Sequence, residues 1–449
     1  MKKFNKTNYL IKLKIRRWLQ NYSRYLYIGI SCLFVCIIGL YFAYSKFFVS
    51  SEEAVVRTTV GDFIHGDVVI GAYIDGEYSS TIPGKNDGYV VDKVSCDNGA
   101  VGEWNNDDWG LLTTNLSKRT KCNVYFKKAV SKVPDIIAQL NTSGKCPTMN
   151  ADGSVNVTGL EATNGYLCKA KDAYGDSYYY RGNVTNNYVK FADKYWRIVR
   201  INGDGTVRVI YDGTSAHANG ESNEDRQIGI SDFNSSCNDN AYVGYMYGKI
   251  GASTYADAHA NTNDSKIKAY IDNWYKTNIV GTTNEQYLAD NVFCNDRSFS
   301  SNNSGTGVAK SQTYYRWYYG PWWRRDEYNT NMMLTCPKKN DAFTVSDTTN
   351  GNGALTYPIG LLSTDEIVLA GGWSAANSGY YLYSGQSWWT SSPYGFIGSN
   401  VFVSHVYSDG GASDNDYVSI YYGVRPVFNM KADALAQGTG TASDPYRIS

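Results

Sequence analysis

The residues able to do metal or covalent chemistry are few and scattered. Four histidines stand at positions 65, 217, 259 and 405. None lies near another, so only the fold can assemble a histidine cluster. Nine cysteines occur, but no CxxC and no HxxxH, which leaves no zinc spacing. Cys32 and Cys36 lie inside an apolar run. Nearest-neighbour pairing of the others joins Cys96 to Cys122, Cys146 to Cys168 and Cys294 to Cys336, and leaves Cys237 over; spacing alone does not fix that connectivity. The run SDGGASDND, residues 408–416, supplies Asp409, Asp414 and Asp416. Calcium, a hard cation, needs several such oxygens, yet the EF-hand spacing is missing and a solvated turn is the simpler reading. No cofactor is expected. His405 stands in an alternating stretch, where a lone histidine serves as a base only if a partner is brought to it.

Aromatic chemistry is far richer. The chain holds 40 Tyr and 11 Trp against 15 Phe and 6 Met. Such residues favour strands and half-buried sheets. They also build rigid, amphipathic contact surfaces. Density peaks at YYRWYYGPWWRR, residues 314–325, inside a long polar region spanning about 298 to 352. A stretch of that length between helices is functional or disordered, and rings interleaved with arginine argue against disorder.

Positioning begins near the N-terminus. Residues 25–45, YLYIGISCLFVCIIGLYFAYS, carry no charge. At about 1.5 Å per residue such a run spans about 30 Å, a bilayer core. Eight basic residues precede it, from Lys2 to Arg24, and the first acidic residue is Glu52. The expectation is a cytoplasmic basic tail (1–24), a single transmembrane helix (25–45) that makes the membrane a partner, and an extracellular remainder. A cleaved signal peptide is the alternative, against which stand the length of the run and the lack of a small-x-small site. Lys+Arg and Asp+Glu balance at 42 each, so removing the basic tail leaves the exported part mildly acidic. That argues against nucleic acid as a partner. Export permits disulfides.

Residues 55–126 read as short strands and turns, including the hairpin dipeptide Asp75-Gly76, and suggest a small β-sandwich-like stalk domain. Residues 127–145 read as a helical linker opened by Pro134. Residues 146–449 form the larger domain. Its meander covers 176–211, with a turn at 202–205 whose Asn and Gly accept positive φ. One helix follows a cap at Asp264 or Ser265, with Ile267, Tyr270, Ile271, Trp274 and Tyr275 at helical spacing. A second opens on the capping box Ser363-Thr-Asp-Glu366 and ends at Gly371-Gly372.

Three blocks recur in a recognisable order: YWRIVR (195–200), WWTSSP (388–393) and GVRPV (423–427), with the acidic loop between the last two. Together they resemble an uncharacterised domain family of surface proteins from Gram-positive gut bacteria. The closing blocks are also similar to the C-terminal core of C-type-lectin-like folds, including relatives of the formylglycine-generating enzyme. Over about residues 175–430 the resemblance implies a lectin-like mixed domain, so that the whole reads as an α+β fold: the transmembrane helix, the small sandwich, then this domain. In such folds ligands bind loops over a twisted sheet. By position that implies Trp388, Trp389, Ser391, Ser392, Tyr394, Tyr407, Asp409, Asp414, Asp416 and Arg425. Core packing competes for Trp388, Trp389 and Arg425, the last paired with a buried carboxylate. Relatives that oxidise cysteines use a C-terminal cysteine pair, and no cysteine follows Cys336. The reading is therefore non-catalytic recognition of a glycan or of a host or bacterial surface protein. An extracellular enzyme on the same scaffold and a structural envelope protein are the alternatives.

Overall fold

The computed structural model describes residues 11–12, 14–17 and 68–448, apart from 86, 107, 116–119, 159–161, 300–315, 326–329, 374–375 and 413–414. Strand dominates, at 35% of residues against 16% in helix. The α+β, lectin-like expectation is corrected accordingly: the fold is mostly β. The reason lies in element length. Among the described residues the longest helix, Lys266–Asn278, has 13 residues, and the other helices are one or two turns. They brace sheets and do not form a layer. The expected membrane-spanning helix over 25–45 lies outside the described residues. Among the described ones, no helix is long and apolar enough to cross a membrane.

From residue 68 on, the described residues fall into two compact units, 68–85 with 91–127, and 87–90 with 128–448. In the first, Val68–Ile74 and Glu77–Ser79 make a hairpin. Its turn residues Asp75 and Gly76 have φ of 50° and 90°, the left-handed pair that an Asp-Gly turn favours. Val68–Ile74 also runs parallel to Thr120–Lys128, matching Ile70 to Cys122 and Tyr73 to Tyr125. The expected small sandwich is therefore a four-stranded mixed sheet accompanied by the ribbon Val101–Asn105/Gly110–Thr114. Trp104 meets Trp109 and Phe126 edge-on at 5.4 and 5.3 Å, and Cys96 is bonded to Cys122.

The second unit is built on two sheets. A nine-stranded sheet runs through Val427–Met430, Val207–Gly213, Lys194–Ile201, Gly175–Arg181 and Tyr166–Asp172 in spatial order. Asn202–Gly205 turns the chain, with the Asn202 N–H donating to the Thr206 carbonyl at 2.8 Å. Residues 196–201 and 207–213 are buried throughout. Both faces of these strands are covered, which explains why their alternation of polar and apolar residues is imperfect. Arginines sit inside, matched by carboxylates. The six-stranded sheet runs Ile230–Asp232, Tyr421–Gly423, Trp388–Ile397, Asn400–Val406 and Asn415–Tyr417, with Arg316–Tyr318 added to Trp388–Ile397.

Helix Lys266–Asn278 is capped by Ser265, whose Oγ accepts from the Lys268 N–H, and buries Ile267, Ile271 and Tyr275 along one stripe. Helix Thr364–Ala370 carries both halves of the Ser363/Glu366 capping box. The short helix Val133–Ile137 places Val133 and Ile136 in the same hydrophobic core, and the Lys132 N–H donates to the Leu435 carbonyl at 2.8 Å. Two further disulfides, Cys146–Cys168 and Cys294–Cys336, close segments of this unit; Cys237 is free and half-buried.

Candidate functional site

Strand Trp388–Ile397 carries half of the candidate residues, and most of them face inward. Trp388 and Trp389 are fully buried. The Trp389 indole N–H donates to the Ser231 carbonyl at 2.9 Å, and the Arg425 guanidinium lies 5.0 Å from the Trp388 ring. The hydroxyls beside them stitch backbone together. Ser391 Oγ donates to the Cys294 carbonyl at 2.8 Å. Ser392 Oγ accepts from the Thr364 N–H at 2.8 Å, an added cap on helix Thr364–Ala370. Thr390 Oγ1 donates to the Ser404 carbonyl at 2.7 Å. Buried hydroxyls so engaged hold the fold and are not presented to a ligand.

Arg425 is equally interior. It donates to the carbonyls of Tyr211 and Leu382 and to Asp212 Oδ1, the last at 2.8 Å. Asp212 also receives Arg226 at 2.7 Å and faces Arg197 at 3.8 Å. Burial, opposed by Asp212 and reinforced by the neighbouring Arg226 and Arg197, pushes the Arg425 guanidinium down to about 10. A second buried hub is Glu366, which meets Arg208 at 2.7 Å and Arg200 at 3.1 Å. Burial would raise its carboxyl, but Arg208 and Arg200 outweigh that and hold it down to about 2. Arg324 bridges Asp365 and Asp296, at 2.7 and 2.8 Å. A crevice beside these charges, touched by Ser392 and Cys294, has a volume of only about 10 Å³. That is room for roughly one water, so the charges bind each other and not a ligand.

The candidate residues and neighbouring tyrosines that do reach the surface stand on different strands of the six-stranded sheet: Tyr407 follows Asn400–Val406, Tyr417 ends Asn415–Tyr417 and Tyr421 opens Tyr421–Gly423. Tyr407 is 36% exposed, Tyr417 40% and Tyr421 59%, with Ile230 and Ile420 exposed beside them in the same sheet and its turn. An interior ring stack lies against Tyr407. The ring of His405 lies 4.5 Å from Tyr422, nearly parallel, 4.5 Å from Tyr407 and 6.0 Å from Trp389. Tyr422 Oη donates to Asp416 Oδ2 at 2.7 Å, and Tyr417 packs on Phe402 at 4.7 Å. The sequence candidates Trp389, Tyr407 and Asp416 thus converge, joined by His405 and Tyr422. Tyr417 and Tyr421 were missed as candidates; the alternation of residues 417–422 was the available signal. His405 itself is fully buried among rings.

Tyr394 lies elsewhere, half-buried in a second ring group with Tyr318 at 5.7 Å and Trp322 at 6.3 Å. Tyr318 and Trp322 stack at 4.0 Å. The acidic loop does not gather its carboxylates. Asp409 is exposed and accepts from the Gly411 N–H at 2.8 Å, Asp416 is taken up by Tyr422, and Asp414 lies outside the described residues. Among the described residues no group of three or more His, Cys, Asp or Glu side chains is placed to hold a metal ion.

No curated protein matches the chain, and no solved structure does. Residues 326–432, which include helix Thr364–Ala370, the buried WWTSSP strand and the three exposed tyrosines, match the model of a domain of unknown function (DUF6273).

Proposed function

We propose that this is an exported, non-catalytic recognition protein whose second unit binds a glycan through the exposed tyrosines Tyr407, Tyr417 and Tyr421 of its six-stranded sheet. The observation that carries the reading is the exposure of these three tyrosines on a sheet that fully buries Trp388 and Trp389. Tyrosine offers an apolar face for a sugar ring and a hydroxyl that remains wet, and Asp416 beside it accepts hydrogen bonds from hydroxyls. Tyr407 rests on His405 and Tyr417 on Phe402, so ordering these rings for binding costs little side-chain entropy. Export is supported by three disulfides, a bond type that persists in oxidising compartments. The resemblance of the three blocks to Gram-positive surface proteins supports a place at the cell surface. An enzymatic role for His405 would require a ring accessible to substrate, and this ring is enclosed.

A glycan array probed with the full chain tests the reading. Binding to a defined glycan class is expected, with Tyr417→Ala and Tyr421→Ala each weakening it roughly tenfold, the effect of losing one stacking ring. Both positions are exposed, so the melting temperature should hold. Array binding that both variants leave untouched would move the site off these tyrosines. Recovery of the protein from the cytosol with all thiols reduced would remove the exported role.

A further inference from the structure

Residues 11–12 and 14–17 are helical, and this helix turns apolar side chains outward. Ile11 is 51% exposed and Ile15 52%. An exposed isoleucine is ordinary when it stands singly. Here two stand four positions apart, which puts them one above the other on a single helical face. Trp18 and Leu19 stand three and four positions beyond Ile15 in the sequence, the spacing that extends an apolar stripe.

The charges are arranged around that pair. At about 100° per residue, Lys12 and Arg16 fall on one flank of the Ile11–Ile15 face, and Lys14 and Arg17 on the other. All four are exposed. The segment 1–24 holds eight basic residues and no acidic one, so the helix carries a net positive field along its whole length. Lysine and arginine on the flanks of an apolar stripe lay their methylene stems along the apolar side and keep their charge in water.

We propose that this helix lies in the headgroup layer of an anionic lipid bilayer, with Ile11 and Ile15 toward the acyl chains and Lys12, Lys14, Arg16 and Arg17 on the phosphates. Charge complementarity selects an anionic surface, and each basic residue near one strengthens binding roughly fivefold. The exposed isoleucines select lipid over nucleic acid, which offers phosphates but no apolar layer beneath them. Residues 25–45 carry no charge, so the chain that follows is compatible with the same surface. The contact is interfacial and needs no helix of bilayer length. It does not depend on the glycan reading.

Hydrogen exchange of the full chain, read by mass spectrometry over residues 11–17, tests it. The probes are vesicles of phosphatidylcholine alone and of an equal mixture with phosphatidylglycerol. Residues 25–45 are present in every sample, so the comparison reads the helix. On the mixed vesicles exchange should slow roughly tenfold relative to the neutral ones, and high salt should abolish the difference. Replacing all four cations, by Lys12→Gln, Lys14→Gln, Arg16→Gln and Arg17→Gln, should remove the dependence on lipid composition. The pair Ile11→Asp and Ile15→Asp should return exchange on the mixed vesicles to the vesicle-free rate. Equal exchange on the two compositions, or exchange on both as fast as without vesicles, overturns the proposal. Slowing that the isoleucine pair leaves in place overturns it as well, since it would mark a helix that reads phosphate charge alone.

Discussion

Glu366 shows how single residues of the resemblance blocks and their partners are used. Its side chain returns to the Ser363 N–H at 2.9 Å as one half of a capping box, and at the same time neutralises Arg200 and Arg208 in the interior. Glu366→Gln keeps the shape but leaves Arg208 without its carboxylate, and breaking a buried pair costs about 3–5 kcal/mol; chemical denaturation should show that loss. The same carboxylate sets an acid limit. Its folded value of about 2 lies below the usual 4.5. The stabilisation is therefore complete above pH about 4.5 and is lost as pH falls through about 2, a loss on the order of 3 kcal/mol. Denaturant midpoints measured down that range should fall, and the fall should be shallower in Glu366→Gln. Asp212 is the buried counter-charge that Arg425, Arg226 and Arg197 share. Arg425 of GVRPV was read as a ligand candidate and instead meets Asp212 together with Arg197 of YWRIVR, whose other arginine, Arg200, meets Asp172 and Glu366.

At the level of elements, strand Trp388–Ile397 is the spine of its sheet and pairs with Asn400–Val406, Arg316–Tyr318 and Tyr421–Gly423. Its WWTSSP sequence looked like an exposed platform because Trp, Ser and Thr suit both a sugar site and a packed interior. The interior won because sheets and helix close over both of its faces. Trp389→Ala should accordingly destabilise by about 3–5 kcal/mol, seen as a lowered melting temperature, whereas Tyr421→Ala should leave it unchanged. Local signals were legible. The turn at Asp75-Gly76, the cap at Ser265 and the capping box at Ser363 stand where their residue types place them, because each depends on neighbours within four positions. The parallel pairing of Val68–Ile74 with Thr120–Lys128 was not legible, since strand orientation leaves no mark in either segment alone.

For the whole molecule, the disulfides divide between the units, with Cys96–Cys122 in the first and Cys146–Cys168 and Cys294–Cys336 in the second. Removing a cross-link that closes a loop of 26 residues costs about 3–4 kcal/mol through the unfolded chain. Paired Cys96→Ala and Cys122→Ala substitutions should lower a thermal transition of the first unit by calorimetry and leave the second unit's transition in place. The segment 326–432 does not contain its own charge partners: Arg425 needs Asp212, and Glu366 needs Arg200 and Arg208. It should be insoluble or unfolded when expressed without residues 128–325. The sequence alone determined the turns, the helix caps, the strand-rich composition and the set of neighbouring cysteines, all properties of residues close along the chain. The tertiary structure decided which tyrosines are wet, that both tryptophans of WWTSSP are buried, and which carboxylate meets which arginine. Arg425 and Asp212 lie 213 positions apart, and burial is set by what packs across space, which no local window of sequence records.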